Sequence, residues 1–360
     1  MVIPMLSVKH HGGTRILLQL ANSLVKNGHS ITILTPKDKY VPIYPVNKKI
    51  KMKFTSRVGN NRLFYLKTLI EFIFKIPKSD FILANFFPTF YPSLLAEKLG
   101  KGKIVYFPQG IGVTYLNISK IISWFLKFSE NITFKFKTPI VVTARWQTQE
   151  IVKINKESFV KIINIGLPNN IFYPDPNPKL INNKKGKAIL YFLSKLKSKG
   201  LKDFLEALKL IKKNKLKFDL WLVGNQQQGL ESFNYFKNTT PIKVFPYLKN
   251  KELREVYSSA DLYVNTSWLE GFCLPPLEAM ACGIPVVLTD SLGPREYAID
   301  NYNCLMVPPR KPELLARAIS KMLLDKDMRQ KITENGIKTV EKFKFSKTAE
   351  EFEKFLLNLQ

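Results

Sequence analysis

Short apolar runs alternate along this chain with longer stretches whose apolar positions recur every three or four residues. Val2–Val8, Ser30–Thr35, Phe81–Asn85, Ile104–Phe107 and Ile140–Thr143 are runs of the first kind, short enough for strands buried on both faces. Thr14–Asn27 has the helical period, and helical stretches separate the other runs. Between Asn164 and Lys187 the pattern breaks, with Pro168, Pro174, Pro176 and Pro178 among asparagines and lysines. Its middle reads as an interdomain linker. A second series follows, with strands predicted at Ala188–Leu193, Phe218–Val223, Lys243–Phe245, Leu262–Asn265 and Pro285–Leu288. Asp203–Lys213, Asn250–Ser258 and Leu277–Ala281 are its predicted helices, and Asp327–Leu359 forms a helical tail. Repeated βα units predict parallel sheets covered on both faces. The expected fold class is therefore α/β, with two Rossmann-like domains over 1–170 and 180–340 whose sheets face a central cleft. A C-terminal helix over 341–360 can cross back to the first domain.

Chemistry concentrates in E-G-F-C-L-P-P-L-E-A-M-A-C-G-I-P-V-V, from Glu270 to Val287. Gly271 lets backbone approach a ligand where a side chain would obstruct it. Pro275 or Pro276 suits the first helical position, where a missing N–H costs nothing. Glu278 is then expected in the first turn, whose positive end favours a carboxylate or a ligand phosphate. Ala279, Ala281 and Gly283 make a thin helix, and Ile284–Leu288 a buried strand. Glu270 follows the Leu262–Asn265 strand, at the edge where open α/β sheets bind ligands.

Composition narrows the setting. A chain of 360 residues exceeds a comfortable single core, and 45% hydrophobic content argues against disorder. The opening M-V-I-P-M-L-S-V has no basic leader and reads as a buried strand. Three cysteines, Cys273, Cys282 and Cys304, make neither a disulfide framework nor a metal pattern, so a cytoplasmic protein is expected. Fifty-six basic against 28 acidic residues leave a net charge of +28. Solubility, nucleic acid or an anionic membrane surface can each explain such a charge. No nucleic-acid-binding module is recognisable, so no nucleic-acid partner is expected.

The Glu270–Val287 stretch resembles the Glu-x7-Glu signature of glycosyltransferase family 4, the retaining GT-B enzymes that use nucleotide-sugar donors. The resemblance is dense over about 180–355 and sparse over about 1–35. It implies that Glu270 meets hydroxyls of the transferred sugar and Glu278 the nucleotide ribose, with Gly271, Phe272 and Leu274 lining the donor between them. Gly12-Gly13, between the first strand and a helix expected to open at Thr14, resembles the family's Gly-rich loop near donor diphosphate and acceptor. S-K-L-K-S-K-G, Ser194–Gly200, resembles the phosphate-gripping turn, where relatives pair an Arg with a Lys. Lys199 matches the Lys, but Ser194 stands at the Arg position, and Lys195 is the substitute. A lysine ammonium lacks the bidentate fork of an arginine. Trp221–Asn225, with Gly224, resembles the strand-turn before the nucleotide pocket. In Val244–Leu248, Tyr247 is placed either against the base or in the core. The turn Ser291–Glu296 and the segment Asn303–Pro309 also resemble family elements.

The acceptor side is thinner. His10 and His11 sit on the loop before Gly12 and can contact acceptor or phosphate, whereas His29 reads as structural. Many family members carry a histidine near the middle of the first domain; here all three histidines precede residue 30. Gln109 stands after the Ile104–Phe107 strand, able to hydrogen-bond a sugar but not to act as a base. Asp325-Lys-Asp327 looks like a sugar-nucleotide metal motif but reads as a helix cap, so neither a metal nor a cofactor is expected. Leu63–Lys78 and Ile118–Lys137 interleave aromatic and aliphatic residues with lysines. Such spacing commonly marks core, but basic-aromatic helices also lie in membrane interfaces. The expectation is a retaining, metal-independent glycosyltransferase acting on a glycan or lipid-linked acceptor, peripheral at the inner membrane face. A GT-B epimerase and a non-catalytic GT-B subunit or polyanion binder are the alternatives.

Overall fold

The computed structural model describes the whole chain apart from residues 9–11, 42–43, 58–61, 113–118 and 169. It divides into two compact units, Met1–Ile165 with Ser346–Gln360, and Gly166–Phe345.

The first unit opens with β1 (Val2–Pro4), α1 (Gly12–Lys26), β2 (Thr32–Pro36) and β3 (Lys51–Thr55). It continues with α2 (Arg62–Lys75), β4 (Phe81–Ala84), α3 (Phe87–Lys98) and β5 (Lys103–Tyr106). Then come α4 (Lys120–Thr133), β6 (Ile140–Val142), α5 (Arg145–Ile154) and β7 (Val160–Ile162). Among the described residues these strands form one parallel sheet in the order β3-β2-β1-β4-β5-β6-β7. β1, β2, β4 and β6 are buried along their whole length, which is why β1, β4 and β6 read as continuous apolar runs. β3 and β7 are edge strands with exposed positions, and their sequences, K-M-K-F-T and V-K-I, carry no such run.

The second unit contains α6 (Pro178–Asn182), β8 (Lys187–Phe192), α7 (Leu201–Lys213), β9 (Phe218–Val223) and α8 (Gln226–Ser232). After these come β10 (Ile242–Phe245), α9 (Asn250–Ser259), β11 (Leu262–Asn265), α10 (Leu274–Ala281) and β12 (Val286–Thr289). β13 (Leu305–Val307), α11 (Pro312–Leu324) and α12 (Lys326–Val340) complete it. Its strands are also all parallel, ordered β10-β9-β8-β11-β12-β13. Helix α7 buries Phe204, Ala207, Leu208 and Ile211; spacings of three and four put them on one stripe. That stripe joins Ile189, Leu220 and Val264 of the sheet in one core.

Two segments carry the chain from one unit to the other. The proline-rich stretch docks on the second unit rather than hanging between domains. Arg254 pairs with Asp175 at 2.7 Å, and the Asn177 backbone N–H donates to Ser259 Oγ at 2.8 Å. Leu167 N donates to Phe343 O at 2.7 Å, and Phe345 N returns a bond to Leu167 O at 2.8 Å. The helical tail is α12, which stops at Val340, and α13 (Phe345–Leu357), which begins after a break. From Ser346 onward α13 belongs to the first unit. There Phe352 packs against Phe107 (5.7 Å between ring centres), and Glu353 accepts from Asn27 at 2.6 Å and meets His29 at 2.5 Å. His29 is thus part of a helix-docking contact. No helix among the described residues is long and apolar enough to cross a membrane.

Candidate active site

In both sheets the strand order reverses beside the first strand, between β1 and β4 and between β8 and β11. Such a reversal opens a crevice beyond the carboxyl ends of the strands, because the two neighbouring crossovers leave to opposite faces. In the second unit Lys199 and Glu270, from the loops after β8 and β11, meet at that crevice. After β8 the chain makes a single tight helical turn, Lys197–Lys199, and enters α7 through Gly200. Gly200 sits at φ +68°, and a Cβ there would lie 2.0 Å from the Thr266 carbonyl oxygen. Only glycine lets this turn approach the end of β11. Thr266 Oγ1 secures it, donating to Lys199 O at 2.8 Å.

Lys199 Nζ reaches across to Glu270 Oε1 at 2.5 Å. Glu270 is buried, held from below by its own N–H, which donates to Ser291 O at 2.9 Å. The Ser291–Glu296 turn comes this close because Gly293 has no side chain; a Cβ would lie 2.6 Å from Gly271 O. Burial by itself would lower the Lys199 pKa, but the Glu270 carboxylate outweighs it, and the ammonium is held above its ordinary value. Cys273 lies against the same pair. Burial, and then the negative charge of Glu270, push its thiol well above the usual range, so it stays protonated at neutral pH. Cys273 takes φ +70° and Leu292, opposite Glu270, takes φ +67°. Two side-chain-bearing residues in left-handed conformation flanking one carboxylate mark local strain.

Helix α10 starts at Leu274, so Pro275 and Pro276 both lie in its first turn, where N–H groups have no helical partner. This corrects the expected position of Glu278, which falls one turn deeper, leaving no acidic residue in the first turn. There it is buried, and the Tyr257 hydroxyl of α9 donates to Glu278 Oε2 at 3.1 Å. Burial, and then the Glu278 charge, hold the Tyr257 phenol far above its ordinary pKa. Nothing in the sequence singles out Tyr257, which occupies an unremarked helical position 21 residues earlier.

The other predicted donor residues are placed differently. Phe272 is buried against Tyr297 and Phe343, in aromatic packing. Leu274 is buried at the head of α10. Gly224, at φ +147°, lies where a Cβ would meet Leu193 at 2.8 Å, so the end of β9 can close on the end of β8. Tyr247 is largely exposed after β10, and Lys195 is exposed on the loop before the tight turn. Trp268, two residues before Glu270, donates from Nε1 to Asp203 at 2.6 Å while the Arg310 guanidinium covers its ring at 4.1 Å. Asp325 accepts from Met328 N at 2.8 Å and caps α12.

In the first unit the Gly-Gly turn and Gln109 meet. Helix α1 opens at Gly12, two residues before the expected Thr14. Gln109 Nε2 donates to Gly13 O at 3.1 Å, and a Cβ on Gly13 would strike Gln109 Oε1. His10 and His11 lie outside the described residues.

This constellation has a counterpart in sequence. Residues 175–339 match the sequence model of the family described as glycosyl transferases group 1. The matched stretch contains Lys199, Glu270, Cys273 and Glu278, and almost the whole second unit. Over 349 residues the chain is 23% identical to N,N'-diacetylbacillosaminyl-diphospho-undecaprenol alpha-1,3-N-acetylgalactosaminyltransferase of Campylobacter jejuni, covering 91% of each chain. Among solved structures it is similar to sucrose-phosphate synthase of Thermosynechococcus elongatus, with TM-score 0.83 and 20% identity over 99% of this chain and 98% of that one. It is also similar to Anabaena HepE in complex with UDP-glucose, with TM-score 0.78 and 16% identity over 99% of both. The fold is GT-B, two Rossmann-like α/β domains each built on a parallel sheet.

Proposed function

We propose that this protein transfers a glycosyl group from a nucleotide-sugar donor to a glycan or lipid-linked acceptor at the inner membrane face, with retention of anomeric configuration and without a metal. The observation that carries the reading is the Lys199–Glu270 pair at the strand-order reversal of the second unit. An ammonium and a carboxylate side by side suit a donor whose two halves need opposite partners. Lys199, with Lys195 beside it, faces the diphosphate and stabilises the charge that grows on it as the bond to the sugar breaks. Glu270 accepts hydrogen bonds from the sugar hydroxyls and so orients the anomeric carbon. Glu278, fixed by Tyr257, accepts from the ribose hydroxyls.

The bond from the anomeric carbon to the phosphate oxygen breaks, and its electron pair stays on the diphosphate. The acceptor hydroxyl bonds to the same face of that carbon, and its proton passes to the leaving phosphate. No protein base is required on this route, which accords with a glutamine, Gln109, on the first unit's carboxyl edge. The UDP-glucose complex of HepE supports a nucleotide-sugar donor. The diphospho-undecaprenol-linked sugar in the name of the Campylobacter relative supports a lipid-linked acceptor. Replacing Glu270 by Ala tests the assignment. Nucleoside-diphosphate release from a panel of UDP- and GDP-sugars should fall by about three orders of magnitude, with the far-UV spectrum unchanged. Full turnover by a folded E270A protein removes Glu270 from the chemistry.

A further inference from the structure

Helix α4 is built inside out. Its polar side faces the protein: Tyr91 Oη donates to Ser129 O at 2.6 Å, Thr133 is buried, and Glu130, 3% exposed, accepts from Gly112 N at 3.2 Å. Its apolar side faces outward, with Ile121 74%, Trp124 62%, Phe125 60% and Phe128 55% exposed. Trp124 stacks on Phe128 at 5.7 Å and 8° and meets Phe125 edge-on at 5.0 Å, so the outward rings form one cluster. An isolated exposed leucine needs no explanation, but a contiguous aromatic face does. The face continues beyond α4. Helix α3 packs against both α4 and α2; it exposes Leu95, and Leu99 is exposed just after it, while α2 exposes Leu66, Ile70 and Phe74.

Charge says what covers it. Between Ser119 and Lys137 the only acidic residue is Glu130, which is turned inward, whereas Lys127, Lys135 and Lys137 are exposed. The first unit as a whole carries 27 basic against 10 acidic residues. Two copies of a lysine-fringed face would repel each other, whereas an anionic surface with an apolar layer beneath it satisfies both features. A 14-residue helix is too short to span a bilayer but lies well in its plane.

We propose that α4 docks the first unit on an anionic bilayer, its aromatic face in the headgroup–acyl boundary and its lysines on lipid phosphates, so that the acceptor is met on the membrane. The inference rests on the lipid-linked reading of the acceptor and gives it a structural element. The Glu130–Gly112 bond ties the docking helix to the loop that carries Gln109, itself bonded to the Gly13 turn. Docking helix and acceptor-side loop therefore belong to one hydrogen-bonded connection.

Co-sedimentation of the full chain with vesicles of phosphatidylglycerol and phosphatidylcholine, and of phosphatidylcholine alone, tests this. Binding is expected to the anionic vesicles only and to weaken as salt is raised. The Phe125→Ser/Phe128→Ser variant, altered at exposed positions without a charge change, should bind about tenfold or more weaker and melt like the parent. Trp124→Phe should keep sedimentation but lose a blue shift of tryptophan emission on vesicle addition. Failure of the parent to bind anionic vesicles at low salt overturns the proposal, as does unchanged binding by the double-serine variant. So does a parent dimer that this variant dissociates, which would assign the face to a second copy. Nucleoside-diphosphate release measured on the same samples separates the two readings. Turnover without vesicle binding sinks only the docking, and vesicle binding without turnover sinks only the transferase assignment.

Discussion

The ion pair between Lys199 and Glu270 places a carboxylate where water reaches it poorly, and its stability rests on the lysine. Lys199→Ala leaves that carboxylate unpaired and should cost about 2 kcal/mol, a figure discounted because the lysine is partly exposed. The Lys199→Ala/Glu270→Ala double variant should lose less than the two single variants together, with a coupling of about 1–2 kcal/mol in urea denaturation. A strictly additive result would mean that the pair contributes nothing to folding. Cys273 carries two opposed terms, a strained φ of +70° and a buried side chain. Cys273→Gly relieves the first and loses the second, so it should stay within about 1 kcal/mol of the parent in the same titration. The two glutamates are legible because their spacing is local to one loop and one helix. Tyr257 is not, since its partner lies 21 residues on, and only the packing of α9 beside α10 brings the phenol to the carboxylate. Phe272 and Leu274 share the glutamates' loop, yet burial turns both toward packing, a direction that spacing along a chain does not specify.

At the scale of elements, the buried strands were readable, whereas of the edge strands β3, β7, β10 and β13 only β10 was expected. β8 and β9 are mostly apolar over six residues each, whereas β3 alternates lysine with apolar residues and β7 is three residues long. Helix starts move for a related reason. α1 and α10 each open earlier than the apolar period suggests, because glycines and prolines are tolerated where helical N–H groups lack partners. α4 shows the limit of periodicity, which locates an apolar face but not the direction it points. The glycine turns offer a paired test. Gly200→Ala puts a methyl group on the Thr266 backbone, which cannot yield, and should cost about 3 kcal/mol. Gly13→Ala meets only the movable end of Gln109 and should cost under about 1 kcal/mol. Melting curves of the two variants decide, and comparable losses would mean that Gln109 is held as rigidly as backbone.

For the molecule as a whole, the last helix is the decisive piece. α13 leaves the second unit at Phe345 and supplies core to the first, so the first unit's stability depends on residues far away in sequence. Phe352→Ala removes a fully buried ring and should destabilise that unit by about 3–4 kcal/mol, seen as an earlier first transition in calorimetry. Glu353 adds a pH dependence. The hydrogen bond from His29, aided by Asn27 and opposed by burial, holds its carboxyl below the ordinary 4.5. A depressed carboxylate pKa contributes stability above the unfolded value and loses it as pH falls through the folded one. Glu353→Gln should therefore melt earlier than the parent at neutral pH, with the gap closing as pH drops below about 4. A gap that is constant with pH would rule out the charged form as its source.

The sequence by itself determined the βα rhythm, the parallel sheets and the Glu270–Glu278 loop. Each depends on residues within one strand–loop–helix unit, where burial and backbone geometry act locally. Tertiary contacts bring Lys199 to Glu270 and Tyr257 to Glu278, and they turn the aromatic face of α4 outward. Those outcomes depend on which strands become neighbours and which helix faces find partners. Such contacts join residues tens to hundreds of positions apart, and no periodicity along the chain encodes them.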